Sequence, residues 1–209
     1  MSTNPRYVSK VLLLGDSFVG KSCLIQRYVK KEFTQEFRAT IGCDFLMKQV
    51  ETPSGENVTL QIWDTAGQER FQSLGHAFYR GSDGLVLVFD ITNADSFAHL
   101  DGWLVSFKDN SGVEDLDFPM ILVGNKADLA KERRVSESEV AHWLNQRPSV
   151  KYYECSAKEG TGVDAAFLDL CLTIRSADSH KAPVLENTTI KVQRTQTPGK
   201  RRLNTCCKR

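Results

Sequence analysis

Apolar runs with few polar interruptions alternate along this chain with segments in which apolar residues recur every three or four positions. The first pattern predicts buried strands, and the second predicts amphipathic helices. The runs 84–91 and 118–124 lack the alternation of a half-exposed strand, which indicates central strands covered on both faces. The predicted strands cover residues 8–14, 43–52, 57–63, 84–91, 118–124 and 150–155. The predicted helices cover residues 21–31, 95–109, 137–147 and 163–177, with a shorter helix near 70–79.

This alternation of strand and helix predicts an α/β fold, a doubly wound six-stranded sheet with helices on both faces. Residues 53–56 predict a turn, so the strands on either side are expected to be antiparallel in an otherwise parallel sheet. Two helix starts match the capping-box spacing, Ser136 with Glu139 and Thr161 with Asp164. The last helix carries an apolar stripe that predicts core packing, made of Val163, Phe167, Leu170, Cys171 and Ile174.

Composition favours one folded domain from the cytosol. The chain has 209 residues, of which 41% are apolar, enough for a sizeable core. No run reaches the roughly 18 apolar residues of a membrane span, and neither a signal segment nor a myristoylation site is expected. The cysteines at 23, 43, 155 and 171 are therefore expected to be reduced packing residues.

The strongest motif lies between the first predicted strand and helix. Residues 15–22 match the phosphate-binding pattern G-x-x-x-x-G-K-[ST], for which a chance glycine-rich turn is the alternative. Backbone N–H groups and a helix N-terminus in such a loop bind phosphate oxygens. Lys21 is expected to neutralise charge at the β- and γ-phosphates, and the Ser22 hydroxyl to ligate Mg²⁺. The loop consists of Gly15, Asp16, Ser17, Phe18, Val19, Gly20, Lys21 and Ser22.

A second motif predicts which base is bound. Asn125, Lys126 and Asp128 follow an apolar run, at the strand end where open α/β sheets bind ligands. The Asp128 carboxylate can accept from the N1–H and N2–H₂ groups of guanine, a donor pair that adenine lacks. A turn residue and a helix cap are the alternatives for Asn125 and Asp128.

The next predicted strand ends at another short motif, Cys155-Ser156-Ala157-Lys158. A backbone N–H in it can donate to guanine O6, and Lys158 can pack over the base. Because the two short motifs occur in order behind a phosphate loop, we favour a guanine-nucleotide site.

A fourth segment predicts the hydrolytic machinery. Asp64 ends an apolar run and can hold the Mg²⁺ shell through water. Gly67 lacks a Cβ, so its N–H can reach a γ-phosphate, and Gln68 can orient an attacking water. The Thr40 hydroxyl is expected to close on Mg²⁺ and the γ-phosphate. Ordinary loop or strand positions are the alternatives for Gln68 and Thr40.

The composition changes near residue 178. Residues 176–209 carry eight Lys and Arg against two acids, a net charge of +6, although the whole chain is only +1. Few large apolar residues occur there, so a disordered basic tail is expected from 178 to 209. Cys206 and Cys207 beside that charge predict lipid anchoring; a tail with two exposed thiols is the alternative. The remaining chain is not basic, which argues against a nucleic-acid partner.

With these motifs in order, the chain resembles the Ras superfamily of small GTPases and, within it, the Rab branch. The resemblance covers residues 7–177 and the tail. Residues 38–46 and 71–81 resemble the late-endosomal and vacuolar or lysosomal Rab group. Further Rab-type segments lie at 41–45, 60–71, 79–82 and 87–92.

The resemblance implies a P-loop NTPase G domain over residues 1–177 and a hypervariable tail. It implies a switch that hydrolyses GTP to GDP, uses Mg²⁺ and regulates vesicular traffic between late endosome and lysosome or vacuole. The implied location is the cytosolic face of those membranes, with a cytosolic pool. Implied partners are an exchange factor, a GTPase-activating protein, a GDP-dissociation inhibitor, an escort protein, GTP-state effectors and a membrane bound through geranylgeranyl groups.

The resemblance also assigns further residues. Cys23 and Phe33 are expected at the nucleotide, and effectors are expected to read Phe45, Trp63 and Phe78. Buried sheet aromatics are the alternative for these three.

The chain departs from the family pattern at three places. Phe18 stands where the family has a small residue, and we expect its ring to turn outward because the other loop residues are retained. Phe37 stands where Tyr is usual, and two basic residues follow Cys206 and Cys207.

Two other functions remain open on sequence. One is a module that binds guanine nucleotide but hardly hydrolyses it, and works by docking effectors. Another is a Rab of a different endomembrane step. An ATPase or kinase is disfavoured by Asn125, Lys126 and Asp128. Slow intrinsic hydrolysis is expected because no arginine finger is assigned in the chain.

Overall fold

The computed structural model describes residues 6–34, 40, 43–65, 78–113 and 118–177, and within them strands alternate with helices as predicted. The strands are β1 (Arg6–Leu14), β2 (Cys43–Glu51), β3 (Asn57–Thr65), β4 (Gly84–Asp90), β5 (Met120–Asn125) and β6 (Lys151–Cys155). The helices are α1 (Lys21–Lys30), α2 (Ala94–Ala98), α3 (Leu100–Ser111), α4 (Glu137–Asn145) and α5 (Val163–Ala177). A 3₁₀ segment, Ala127–Glu132, follows β5.

The strands form one sheet in the order β2-β3-β1-β4-β5-β6. The β2–β3 pair is antiparallel and every other pair is parallel, which confirms the predicted doubly wound arrangement. The turn at residues 52–56 closes the antiparallel hairpin, with Thr52 N–H donating to the Glu56 carbonyl at 2.9 Å.

Two apolar cores cover the two faces of the sheet. On one face β1, β3 and β4 pack against α1 and α5, where the rings of Tyr28 and Phe167 stack with centroids 4.3 Å apart. On the other face the strands pack against α2, α3 and α4. Strand β4 is buried at every position, which is the physical reason for its uninterrupted apolar run.

Two sequence expectations need correction. The predicted helix 95–109 is observed as two helices that meet at His99, whose ψ of −6° lies away from the ideal α-helical value although the residue stays in the right-handed α region. Ser136 and Glu139 form the predicted capping box, but the Asp164 carboxylate pairs instead with Lys31. The 3₁₀ segment was not predicted, and most of the predicted helix near 70–79 lies outside the described residues. The other predicted bounds lie within two residues of the observed ones.

The predicted packing role of the four cysteines agrees with their environment. All four are free thiols; Cys155 and Cys171 are buried, and Cys23 and Cys43 are partly buried. Within the described ranges, the helices are too short or too polar to cross a bilayer.

Candidate functional site

The phosphate loop, residues 15–22, joins the C-terminal end of β1 to the first turn of α1. Its glycines are required by space as well as by backbone conformation. Gly15 has φ +147°, and a Cβ there would lie 2.1 Å from the Val88 carbonyl oxygen. Gly20 has φ +96°, and a Cβ there would lie 2.3 Å from Asn125 Nδ2. The loop is therefore closely surrounded by β4 and β5, and larger residues at these two positions would displace it.

Lys21 is a buried cation at the start of α1. Its Nζ donates to the carbonyl oxygens of Gly15 at 2.7 Å and Asp16 at 2.8 Å, so the side chain folds back across the phosphate loop. Burial lowers the pKa of Lys21 from 10.5 to about 8, while the charges of Asp64 and Asp16 oppose that shift. A bound phosphate would place negative charge next to this desolvated ammonium group.

Three side-chain oxygens converge beside Lys21. Ser22 Oγ lies 2.9 Å from Thr40 Oγ1 and 2.5 Å from Asp64 Oδ2, and Thr40 Oγ1 lies 3.2 Å from the same carboxylate oxygen. The other oxygen, Asp64 Oδ1, is buried and has no hydrogen-bond partner among the described residues. Desolvation raises the pKa of Asp64, against the bonds from Ser22 and Thr40. A cluster of oxygens with one unsatisfied buried carboxylate atom fits a hard cation such as Mg²⁺.

Asn125 connects the phosphate loop to the segment after β6. Its side chain is buried, its Nδ2 donates to the Val19 carbonyl at 2.7 Å, and its Oδ1 accepts from Ala157 N–H at 3.2 Å. This burial excludes an exposed turn residue, which was the alternative on sequence. Asn125 thus links the phosphate loop, 106 residues earlier in the chain, with the segment after β6, 32 residues later.

Asp128 lies in the 3₁₀ segment with its carboxylate facing the segment after β6. Its side chain is only 10% exposed, and Oδ1 accepts from Ser156 Oγ at 2.7 Å. Lys158 Nζ lies 4.0 Å from Oδ2 and is about half exposed. A carboxylate oriented in this way matches a ligand that presents two adjacent N–H donors.

Lys126, directly after β5, forms an ion pair with an acidic residue at the end of β4. Lys126 has a left-handed backbone, φ +68°, and its Nζ pairs with Asp90 Oδ2 at 2.6 Å. Asp90, at the end of β4, also accepts from Thr92 N–H at 2.8 Å. Asp90 was not predicted from the sequence, because its contact is with a lysine on another segment of the chain.

Arg27 is the second residue that sequence reasoning missed. From α1 its Nε donates to the Ala157 carbonyl at 2.8 Å and its Nη2 to the Lys158 carbonyl at 2.5 Å. The helix that carries Lys21 and Ser22 therefore also holds the segment after β6. The signal available in the sequence was a charged residue beside the apolar positions of an amphipathic helix, which is too common to be selective.

The remaining predicted residues of the phosphate loop and α1 are also placed. Phe18 is 64% exposed, which confirms the expected outward ring, and it has a left-handed φ of +68° that is uncommon for a bulky residue. Ser17 is partly exposed. Cys23 and Phe33 are partly buried and pack against the α1–α5 core, and their contact with nucleotide stays a prediction.

The three predicted surface aromatics lie together. The rings of Phe45 and Trp63 stack at 5.2 Å, and those of Trp63 and Phe78 are 5.8 Å apart. Phe45 is 48% exposed, so the alternative of a buried sheet aromatic is wrong for this residue. The expected roles of Gly67, Gln68, Phe37, Cys206 and Cys207 fall outside the described residues.

The sequence of this chain is similar to those of known GTP-binding proteins, in agreement with the geometry of the site. The model of the Ras family matches residues 10–176. The chain is 50% identical over 183 residues to the GTP-binding protein yptV5 of Volvox carteri, covering 87% of this chain and 88% of that protein. It is 42% identical over 208 residues to the Ras-related protein Rab-7a of Paramecium octaurelia, covering 99% and 100%. It is 49% identical over 168 residues to the Ras-related protein Rab7 of Drosophila melanogaster, covering 80% of each chain. The chain therefore belongs to the Ras family of small GTPases and, within it, to the Rab7 group.

Proposed function

We propose that this GTPase binds GDP and GTP in the site built around Lys21, Asp64 and Asp128, and that it switches membrane traffic at late endosomes and the lysosome or vacuole. One observation carries the nucleotide assignment. A buried cation, a cluster of hard oxygens and an oriented carboxylate all lie at the C-terminal edge of the sheet. In open α/β folds that edge is where ligands bind.

The residues divide into two groups by the part of the nucleotide that they would contact. The phosphate loop and Lys21 would bind the phosphates, because backbone N–H groups and a desolvated ammonium attract anions. Asp128 would accept from guanine, with Ser156 holding its orientation. Asn125, Lys126, Ala157 and Lys158 would complete the base pocket.

Mg²⁺ fits the oxygen cluster, and Ser22, Thr40 and Asp64 would hold it. When bound, the ion supplies positive charge next to the phosphates. The unsatisfied Asp64 Oδ1 supports this assignment, since a buried carboxylate oxygen without a partner is costly.

Analysis of the nucleotide that copurifies with the protein tests the base assignment. We expect GDP or GTP on ion-exchange chromatography of the denatured protein, and no adenine nucleotide. Recovery of ATP or ADP would exclude the guanine site and favour an ATPase, against the prediction from Asn125, Lys126 and Asp128.

Hydrolysis is proposed to depend on Gln68, which follows Gly67 in the segment that begins at Asp64. Gln68→Leu removes the amide that would orient water, so we expect hydrolysis to slow by about tenfold or more while GTP binding is unchanged. Single-turnover phosphate release measures the rate, with the exposed Gln49 on β2 changed to Leu as the matched control. Equal rates for both variants and the wild type would leave water positioning to another residue. A wild-type protein that binds GTP but releases almost no phosphate would instead support the alternative of a weakly hydrolysing docking module, which family membership does not favour.

The tail is proposed to anchor the protein to membranes through prenyl groups on Cys206 and Cys207. Two lipid chains give stable attachment where one is marginal, and nearby basic residues add about 1 kcal/mol each on anionic lipid. Changing both cysteines to Ser should release the protein into the soluble fraction after cell fractionation, with GTP binding retained. Thr205→Ala is the control for a change in the tail as such. A double Ser variant that still sediments with membranes would exclude this anchor.

The proposed partners follow from the family and from the surface aromatics. An exchange factor, a GTPase-activating protein, a GDP-dissociation inhibitor and an escort protein would act on the switch. Effectors would contact Phe45, Trp63 and Phe78 in the GTP state. A fluorescent fusion imaged with a lysosomal marker tests the compartment; accumulation on an earlier compartment would favour another endomembrane step.

A further inference from the structure

The Asp16 side chain in the phosphate loop is held by two side chains from the α2–α3 region. Trp103 Nε1 donates to Asp16 Oδ1 at 2.8 Å, and His99 Nδ1 lies 2.7 Å from Asp16 Oδ2. An ionised carboxylate only accepts, so His99 Nδ1 is the donor whether or not the ring is charged. Both oxygens of Asp16 are therefore occupied by residues more than eighty positions away in the chain.

The same residue is also held through its backbone. Its carbonyl oxygen accepts from Lys21 Nζ at 2.8 Å, so the side chain of Asp16 is fixed from α3 and its main chain by the buried lysine. The loop between them contains left-handed residues, including Phe18 at φ +68°. Backbone conformations of this kind persist only where surrounding contacts hold them.

The structure provides an internal comparison for the indole contact. Trp143 Nε1 donates to Asp101 Oδ1 at 2.9 Å, and Trp103 and Trp143 are both 8% exposed. A buried indole N–H usually has an acceptor, and both tryptophans satisfy that requirement. The two pairs differ in position, because Asp101 lies on α3 whereas Asp16 lies in the phosphate loop.

We propose that Trp103 and His99 are positioning residues for nucleotide binding, which act by holding the phosphate loop through Asp16. This inference rests on the proposed function, since it needs the loop to bind phosphate. With Asp16 held, the carbonyl groups that orient Lys21 stay in place, and the loop stays in the conformation that would receive the phosphates. Without these contacts the loop samples other conformations, and bound GDP leaves faster.

Release of a fluorescent GDP analogue, followed by stopped flow, tests the proposal. Trp103→Phe keeps an aromatic ring and removes the N–H, so we expect release to accelerate about tenfold, the effect of losing one hydrogen bond to a charged group. Trp143→Phe makes the same chemical change at the other pair, and its release rate should stay within about twofold of the wild type. Thermal unfolding of both variants shows whether they lose similar stability.

A second variant, at His99, changes a side chain that lies outside the apolar core. Its side chain is 61% exposed, so His99→Leu should fold, and we expect it to accelerate release by about threefold or more. The exposed His142 on α4 changed to Leu is its control. Asp16→Ala combined with Trp103→Phe should release GDP no faster than Asp16→Ala alone, because Asp16→Ala already removes the acceptor of the Trp103 N–H.

Three outcomes overturn the proposal. The first is that Trp103→Phe and His99→Leu both release GDP at the wild-type rate. The second is that Trp143→Phe accelerates release as much as Trp103→Phe does. The third is that the effects of the Asp16 and Trp103 changes on the release rate are additive. A wild-type protein that binds no guanine nucleotide would instead refute the proposed function, and the positioning role with it. Wild-type binding with unchanged release in the variants would refute the positioning role alone.

Discussion

Replacing Asp128 by Asn is expected to weaken GDP binding by about a hundredfold and to create affinity for xanthosine diphosphate. The carboxylate offers two acceptors to guanine N1–H and N2–H₂, and a hydrogen bond to a charged group contributes about 1.5–3 kcal/mol. The amide of Asn keeps one acceptor and presents a donor where guanine also has a donor. Xanthine carries a carbonyl at that position, so it can accept from the new amide.

The structure adds a reason to expect a clean exchange of specificity. Ser156 Oγ donates to Asp128 Oδ1, and the same bond would orient the oxygen of an Asn side chain. Titration calorimetry with both nucleotides measures the change, and Asp109→Asn on the exposed surface of α3 controls for loss of one charge. GDP affinity that is equal in the two variants would show that Asp128 does not contact the base.

Replacing Lys21 by Met is expected to weaken GDP binding by more than about a hundredfold, since removing one member of a buried charge pair costs about 3–5 kcal/mol. Lys108→Met, on the exposed side of α3, is the matched control. Unchanged GDP affinity would show that Lys21 does not contact the phosphates.

The pKa of Lys21 gives this prediction a pH dependence. With a pKa of about 8 in the site and 10.5 when exposed, Lys21 binds fewer protons in the folded than in the unfolded protein between these values. The free energy of unfolding of the nucleotide-free protein therefore rises with pH in that window. Phosphate binding requires the charged form, so GDP affinity should fall by up to about tenfold per pH unit above pH 8. Lys21→Met should lack this decrease.

Most of the fold could be predicted because its central strands are buried on both faces. Strands β4 and β5 have no solvent-exposed side that would require polar residues, so their apolar runs are unmistakable. The phosphate loop could be predicted for a related reason. Val88 and Asn125 leave no space for a Cβ at Gly15 and Gly20. These two positions are the glycines of the G-x-x-x-x-G-K-[ST] pattern, so the constraint can be read from the sequence.

The parts that escaped prediction depend on contacts between distant residues. The division of the helix at His99 has no Pro or Gly to announce it, and the residue there bonds to the phosphate loop. Arg27 holds a segment 130 residues away, and Asp90 pairs with a lysine after β5. Local periodicity carries no information about such pairs, since the same residue types occur on any solvated helix or strand end.

In the proposed site, helix α1 would set a fixed spacing between the group that binds the phosphates and the segment that binds the base. Lys21 stands in its first turn, and Arg27, about 9 Å farther along the axis, holds the carbonyl groups of Ala157 and Lys158. Once the phosphates of a nucleotide were bound near Lys21, its base would be held close to the segment that Arg27 positions. The effective concentration of the base there would be high. Guanosine and inorganic phosphate that arrive separately lack that advantage, so the helix favours ligands in which base and phosphate are already joined.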